Sequence, residues 1–106
     1  MPSAQSRMPP RVRLSAKAQR DQTAIWLYVA KNNIAAADGI VDRFSDIFVL
    51  LADNPEAGRR RDDLGRRVRS YVVEGYVVCY RIGAETLDVV GIFHGARRIT
   101  RRLLEE

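Results

Sequence analysis

Between Ala37 and Leu51 the apolar residues recur with the period of a helix. Ala37, Ile40, Val41, Phe44, Ile47, Phe48 and Leu51 follow the i, i+3, i+4, i+7 series for about four turns, with Asp38, Asp42, Arg43 and Asp46 off the stripe. The pattern predicts an amphipathic helix, and "DNPEAG" (Asp53–Gly58) stops it with a proline and a glycine. Upstream, Ala18, Ile25, Tyr28 and Val29 share a stripe in a helix from about Ala16 to Asn32, with Ser15 as its N-cap. Gln22 falls on that stripe and weakens the seam. Asn32-Asn33 reads as a turn, so the two helices are expected to form an antiparallel hairpin.

Elsewhere the period is two, or absent. "RVRL" (Arg11–Leu14) alternates as a short strand does. Val68–Val73, Tyr76–Ile82 and Leu87–His94 read as three further strands, joined by a tight turn at Glu74-Gly75 and by "GAET". The last two are apolar on both sides: Val77, Val78, Cys79 and Tyr80, then Val89, Val90, Ile92 and Phe93. They are expected to be central strands covered on both faces. "RRRDDLGRR" (Arg59–Arg67) reads as a charged loop with Leu64 as its one buried residue. "RRITRRLLEE" predicts a short terminal helix with Ile99, Leu103 and Leu104 on one side. The expected fold is α+β, in the order β-α-α-β-β-β plus a C-terminal helix, with the helical hairpin packed on an antiparallel-rich sheet. Residues 11–106 read as a single domain. Residues 1–10 read as a flexible tail, with Met8 as an alternative start.

Composition narrows the partners. The 106 residues fit one compact domain, and 46% hydrophobic with 29% charged residues is a globular balance. Lys+Arg number 18 against 13 Asp+Glu, and only Lys17 and Lys31 are lysines. Arginine makes planar, bidentate contacts to carboxylates and phosphates, which points to a specific anionic partner: a nucleic acid or an acidic protein. Cys79 is the single cysteine, so a disulfide framework and a multi-cysteine zinc site are excluded, and a reducing, cytoplasmic setting fits. One histidine and one cysteine make no metal site. The seven glycines are scattered, without a P-loop or dinucleotide motif, so no cofactor is expected. No apolar run approaches the roughly 18 residues of a membrane span, and "MPSAQSRMPP" lacks the apolar core of a signal peptide.

Five stretches, "LSAKAQRD…IWLYVA", "AAADGIVDRF", "LADNPEAGRRRDDL", "YVVCYRI" and "VVGIFHGARR", together resemble the RelE/ParE toxin superfamily of bacterial type II toxin–antitoxin modules. The resemblance runs from Arg11 to Leu104. The ending "HGARR" is similar to the ParE-like branch, although that branch commonly has an acidic residue where this chain has Arg98. The resemblance implies a toxin neutralised by a small cognate ParD-like antitoxin in a hetero-oligomer. ParE-like members act on DNA gyrase; RelE-like members are ribosome-dependent mRNA endonucleases that use no metal.

The two branches ask for different chemistry. An RNase without a metal needs a base, an acid and cations for the phosphate. The candidates here are His94, Arg81 and Tyr80, with Tyr71 and Tyr76 nearby in sequence. Imidazole titrates nearest neutrality, which makes His94 the best single acid–base candidate. The competing reading is that His94 ends a strand, with Gly95 as the sharp turn that frees the tail. Tyr76 and Tyr80 share a strand face, where they either stack on bases or pack under the helices. Arg81 either contacts a phosphate or pairs with Glu85 or Asp88. A gyrase-binding toxin needs no catalytic residues. Its candidate contacts are the arginine runs, Arg59, Arg60, Arg61 and Arg67, then Arg97, Arg98 and Arg101, with Trp26 as an anchor lying off the core stripe. The alternatives are a solvated basic face and a tryptophan that caps the core. Sequence-specific nucleic-acid binding is not expected. An acidic amphipathic antitoxin segment would order over the helical hairpin and sheet edge, its carboxylates on arginines. A binding module that keeps the fold without toxicity is a third reading.

Overall fold

The computed structural model describes residues 11–105, so the expected tail over 1–10 and the Met8 start lie outside the described residues. The elements are β1 (Val12–Leu14), α1 (Ala16–Ala30), α2 (Ile34–Asp53), β2 (Arg59–Arg60), β3 (Val68–Val73), β4 (Tyr76–Ile82), β5 (Leu87–His94) and α3 (Arg101–Leu104). The strands form one mixed sheet in the order β1-β5-β4-β3-β2. β1 runs parallel to β5, and the other neighbours are antiparallel. This is the α+β layout expected, with one added strand. Arg59 and Arg60 pair with Ser70 and Arg69 inside what reads as a charged loop, because two exposed arginines carry no apolar alternation.

Local chemistry explains the helix ends. Ser15 Oγ accepts a hydrogen bond from Ala18 N at 3.0 Å and opens α1. Asn33 is more than a turn residue. Its backbone is extended, and its side chain accepts from Ala36 N at 3.0 Å, capping α2. That cap ends α1 at Ala30, short of the expected Asn32. On α1, Tyr28 departs from the expected stripe and is 69% exposed. At about 100° per residue, Ala18, Ile25 and Val29 lie within about 40° of one another, and Tyr28 falls beside them.

The sheet separates two cores. On the helix side, Ala18, Phe44, Phe48 and Leu51 pack against Val73, Val78, Tyr80, Val89 and Ile92. On the other side, Leu64, Val68, Cys79, Val90 and Phe93 are covered by Ile99, Leu103 and Leu104. β4 and β5 are therefore covered on both faces, as their continuous apolar runs required. A bulge helps: Cys79 lies opposite Gly91 and Tyr80 opposite Val89, leaving Val90 without a partner. It shifts the alternation so that Val89 and Ile92 share one face while Val90 and Phe93 share the other. Gln22 is the flaw its position foretold, since its Oε1 is shut from solvent without a hydrogen-bond partner among the described residues.

Beyond Val89 the free edge of β5 is closed by α1. Asp21 Oδ2 accepts from Ile92 N at 3.0 Å. Lys17 Nζ lies 2.8 Å from that oxygen and 4.5 Å from the centre of the Phe93 ring. This clasp fixes the strand whose end carries the chain's only histidine.

Candidate functional site

The end of β5 is set by the turn beside it. Glu74 and Gly75 have φ of 52° and 84°, the two positive values of a type I′ hairpin. Gly75 O accepts from Gly95 N at 2.8 Å, and a Cβ on Gly95 would sit 2.6 Å from that oxygen. Only glycine allows so close an approach. His94 Nδ1 accepts from Ala96 N at 3.3 Å, and His94 O accepts from Arg97 N at 3.0 Å. The imidazole stands edge-on to Tyr76 at 5.9 Å, and Tyr76 in turn meets Phe44 at 5.7 Å. His94 is thus packed toward the helix side. The tail folds over the other side, where the Arg97 guanidinium lies 5.9 Å from the Phe93 ring centre.

That turn assembles an arginine cleft. Arg61, Arg97, Arg98 and Arg101 line a hollow of about 490 Å³ together with Asp63, Val77, Gly95, Ile99 and Thr100. Arg61 is the fixed member. Its side chain is 19% exposed and forks onto Asp63 through two hydrogen bonds of 3.0 and 2.9 Å. The hydrogen bond from Arg61 holds the Asp63 carboxyl below its ordinary value. Arg61 O also accepts from Leu64 N, seating Leu64 in the second core. Arg98 and Arg101 make no ion pair among the described residues and are exposed. Cys79 lies beneath, with burial pushing its thiol up to about 11, which keeps it protonated and unreactive.

The other arginines are elsewhere. Arg60 and Arg67 line a second hollow with Asp62 and Arg69, and Arg60 pairs with Asp62 at 3.0 Å. Arg69 is structural, donating to Gly58 O at 2.7 Å and Glu56 O at 3.3 Å. Arg59 is exposed on the edge strand β2.

The acid–base candidates do not converge. Tyr80 is fully buried. Its hydroxyl donates to Pro55 O at 2.7 Å and accepts from Gly58 N at 2.9 Å, and burial raises its pKa. It ties down the loop after α2. We expect Tyr80→Phe to cost about 1–3 kcal/mol by stranding both backbone groups, read as a lower denaturation midpoint. No change in midpoint would contradict this role. Arg81 lies at the far end of β4, opposite Asp88. Burial pushes the Asp88 carboxyl up. Hydrogen bonds from Arg13 and Thr86, with the charges of Arg13 and Arg81, bring it below its ordinary value. His94 is opposite Tyr76, five residues along β4 from Arg81, which is about 17 Å at ~3.3 Å per residue. Strand alternation also puts Arg81 on the face away from the helices, whereas His94 faces them.

Trp26 serves the hairpin: it is half-buried, and its indole N–H donates to Asp38 Oδ1 at 2.8 Å, joining α1 to α2. Three large apolar residues near the turn of the hairpin are exposed. Leu27, Tyr28 and Ile34 are 56%, 69% and 62% exposed, and Lys31 Nζ stands 5.7 Å from the Tyr28 ring centre. Sequence reasoning missed this patch. The available signal was Leu27 and Ile34, large apolar residues that fit neither helix stripe, whereas the periodicity places Tyr28 on one. Among the described residues no cluster of His, Cys, Asp and Glu is placed to hold a metal, and no helix is long and apolar enough to cross a membrane.

Residues 12–99 match the sequence model of a family described as the ParE toxin of the type II toxin–antitoxin system parDE. Toxin ParE3 of Caulobacter vibrioides is 27% identical over 84 residues, covering 78% of this chain and 84% of that protein. Toxin RelE3 of the same organism is 28% identical over 88 residues, covering 82% of this chain and 96% of that protein. A solved structure described as the chromosomal ParDE TA system from P. aeruginosa shares the fold. Its TM-score is 0.66 at 22% identity, over 78% of this chain and 92% of that one.

Proposed function

The chain belongs to the ParE toxin family of type II toxin–antitoxin systems, and from that premise we propose that it arrests growth by binding DNA gyrase, with no catalysis of its own. The observation that supports this reading is the contrast between two sets of residues. His94 and Arg81 are at opposite ends of the β4–β5 pair and on opposite faces, and Tyr80 is buried. Arg61, Arg97, Arg98 and Arg101 share one cleft. Binding needs the second arrangement and has no use for the first. The target is cytoplasmic, so the toxin acts there. Titrating the purified chain into a gyrase supercoiling reaction tests the proposal: inhibition is expected, and untouched supercoiling at large excess would remove it. The relative named RelE3 supports the second reading, a ribosome-dependent mRNA endonuclease. That reading requires cleavage that is lost on His94→Ala.

A ParD-like antitoxin is the proposed neutralising partner, in a hetero-oligomer. Its acidic amphipathic segment orders on the hairpin, with Trp26, Leu27, Tyr28 and Ile34 as candidate apolar contacts, and carboxylates on arginines including Arg59, Arg60 and Arg67. Central apolar anchors of an interface cost about 2 kcal/mol or more each when lost, or about thirtyfold in affinity. The pair Leu27→Asp/Tyr28→Asp is therefore expected to weaken antitoxin binding at least about thirtyfold by calorimetry, while gyrase inhibition stays the same. Unchanged antitoxin affinity would exclude this surface.

A further inference from the structure

The arginine cleft and the apolar patch divide two kinds of ligand between them. A peptide that folds on binding needs apolar anchors, because ordering its backbone is costly. Exposed apolar side chains near the turn of the hairpin, Leu27, Tyr28 and Ile34, provide them. The cleft has only Val77 and Ile99, both partly packed into the second core. What it offers instead is four arginines and one carboxylate along its lining, and that carboxylate is already engaged by Arg61. Planar forks of this kind match the paired oxygens of a phosphodiester. No aromatic ring lines the cleft, so it has no platform on which a base could stack. Phe93 lies under Arg97, buried in the second core.

We propose that the cleft between Arg61-Asp63 and the 95–101 tail is a phosphodiester site that grips a DNA backbone without reading its sequence. Asp63 holds the Nε and one Nη2 donor of Arg61 and so fixes its plane, Arg61 contributes its remaining Nη donors, and Arg97, Arg98 and Arg101 close over adjacent phosphates. The proposal deepens the reading of this cleft as the target-binding surface and rests on it: the target holds DNA, and the toxin seats on protein and DNA together. It is also independent in its test, because DNA binding is measured without gyrase. Loss of DNA binding and loss of gyrase inhibition are therefore read separately, and the two failures are told apart.

The experiment is fluorescence anisotropy of the full chain with a labelled 20-base-pair duplex of arbitrary sequence, repeated from 50 to 200 mM KCl. Each phosphate contact contributes about 0.9 to the slope of log K against log salt, so three to four contacts give a slope of about −3. Arg97→Gln/Arg98→Gln is expected to weaken binding at least about tenfold at 50 mM and to make the slope shallower by about two. Arg11→Gln/Arg13→Gln removes the same charge at the opposite end of β5, from arginines engaged with Asp53 and Asp88, and is expected to change affinity less than about threefold. No binding at 50 mM, or equal losses in the two double variants, would overturn the proposal. So would displacement of the duplex by a glutamate-rich peptide at equal anionic charge, which would assign the cleft to an acidic protein segment.

Discussion

Reversing Arg97 and Arg98 to glutamate is expected to raise the half-inhibitory concentration against gyrase at least about thirtyfold. His94→Ala is expected to change it less than about threefold. The contrast follows from where the side chains are. Both arginines line the cleft and are exposed, so their loss leaves both cores intact. Hydrogen bonds to charged partners contribute about 1.5–3 kcal/mol each, and a loss of about 2 kcal/mol, less than two such bonds together, already gives the thirtyfold change. Glutamates there do further harm, because they compete with Asp63 for Arg61 and fill the cleft with the ligand's own charge. His94→Ala removes an edge contact to Tyr76 and the acceptor for Ala96 N, while the Gly95–Gly75 hydrogen bond still turns the chain. The measurement is a supercoiling titration of the three proteins side by side. Equal effects, or a larger one for His94→Ala, would reverse the assignment of roles.

Phe44→Ala is expected to carry the largest stability cost, about 3–5 kcal/mol. Phe44 is 0% exposed, lies 6.5 Å from Phe48 in a stacked pair and receives Tyr76 edge-on. It joins α2 to β4 at the centre of the helix-side core, so truncation leaves a cavity with walls on both elements. Such a loss is a large fraction of the stability of a small domain. At about 4–8 °C per kcal/mol, the melting temperature is expected to fall by at least about 12 °C. A fall of less than about 4 °C would mean that the core closes around the gap and that Phe44 is not its keystone.

The elements legible in the sequence are those whose local pattern and tertiary role agree. The α2 stripe is one, and the double-sided runs of β4 and β5 are another. Leu64, a single leucine among charges, was expected to be buried and is 1% exposed. What escaped is decided by partners far along the chain. β2 exists because Arg59 and Arg60 meet Ser70 and Arg69. The Tyr80 hydroxyl is consumed by groups 22 and 25 residues away. Asp21, which no pattern in the sequence singles out, accepts from the strand edge at Ile92, 71 residues on. The arginine runs mislead for a simpler reason. In extended chain neighbouring side chains point oppositely, so Arg60 and Arg61 enter different hollows, while Arg61 and Arg98 share one. Spatial grouping, not the run, defines the candidate site.

The central proposal is that this toxin binds its target rather than cutting RNA. Its most direct measurement is gyrase supercoiling with the purified chain titrated in, beside ribosome-dependent cleavage of mRNA by the same preparation. Inhibited gyrase with intact mRNA is the expected result. Cleaved mRNA with normal supercoiling would contradict it and return the chemistry to His94 and Arg81.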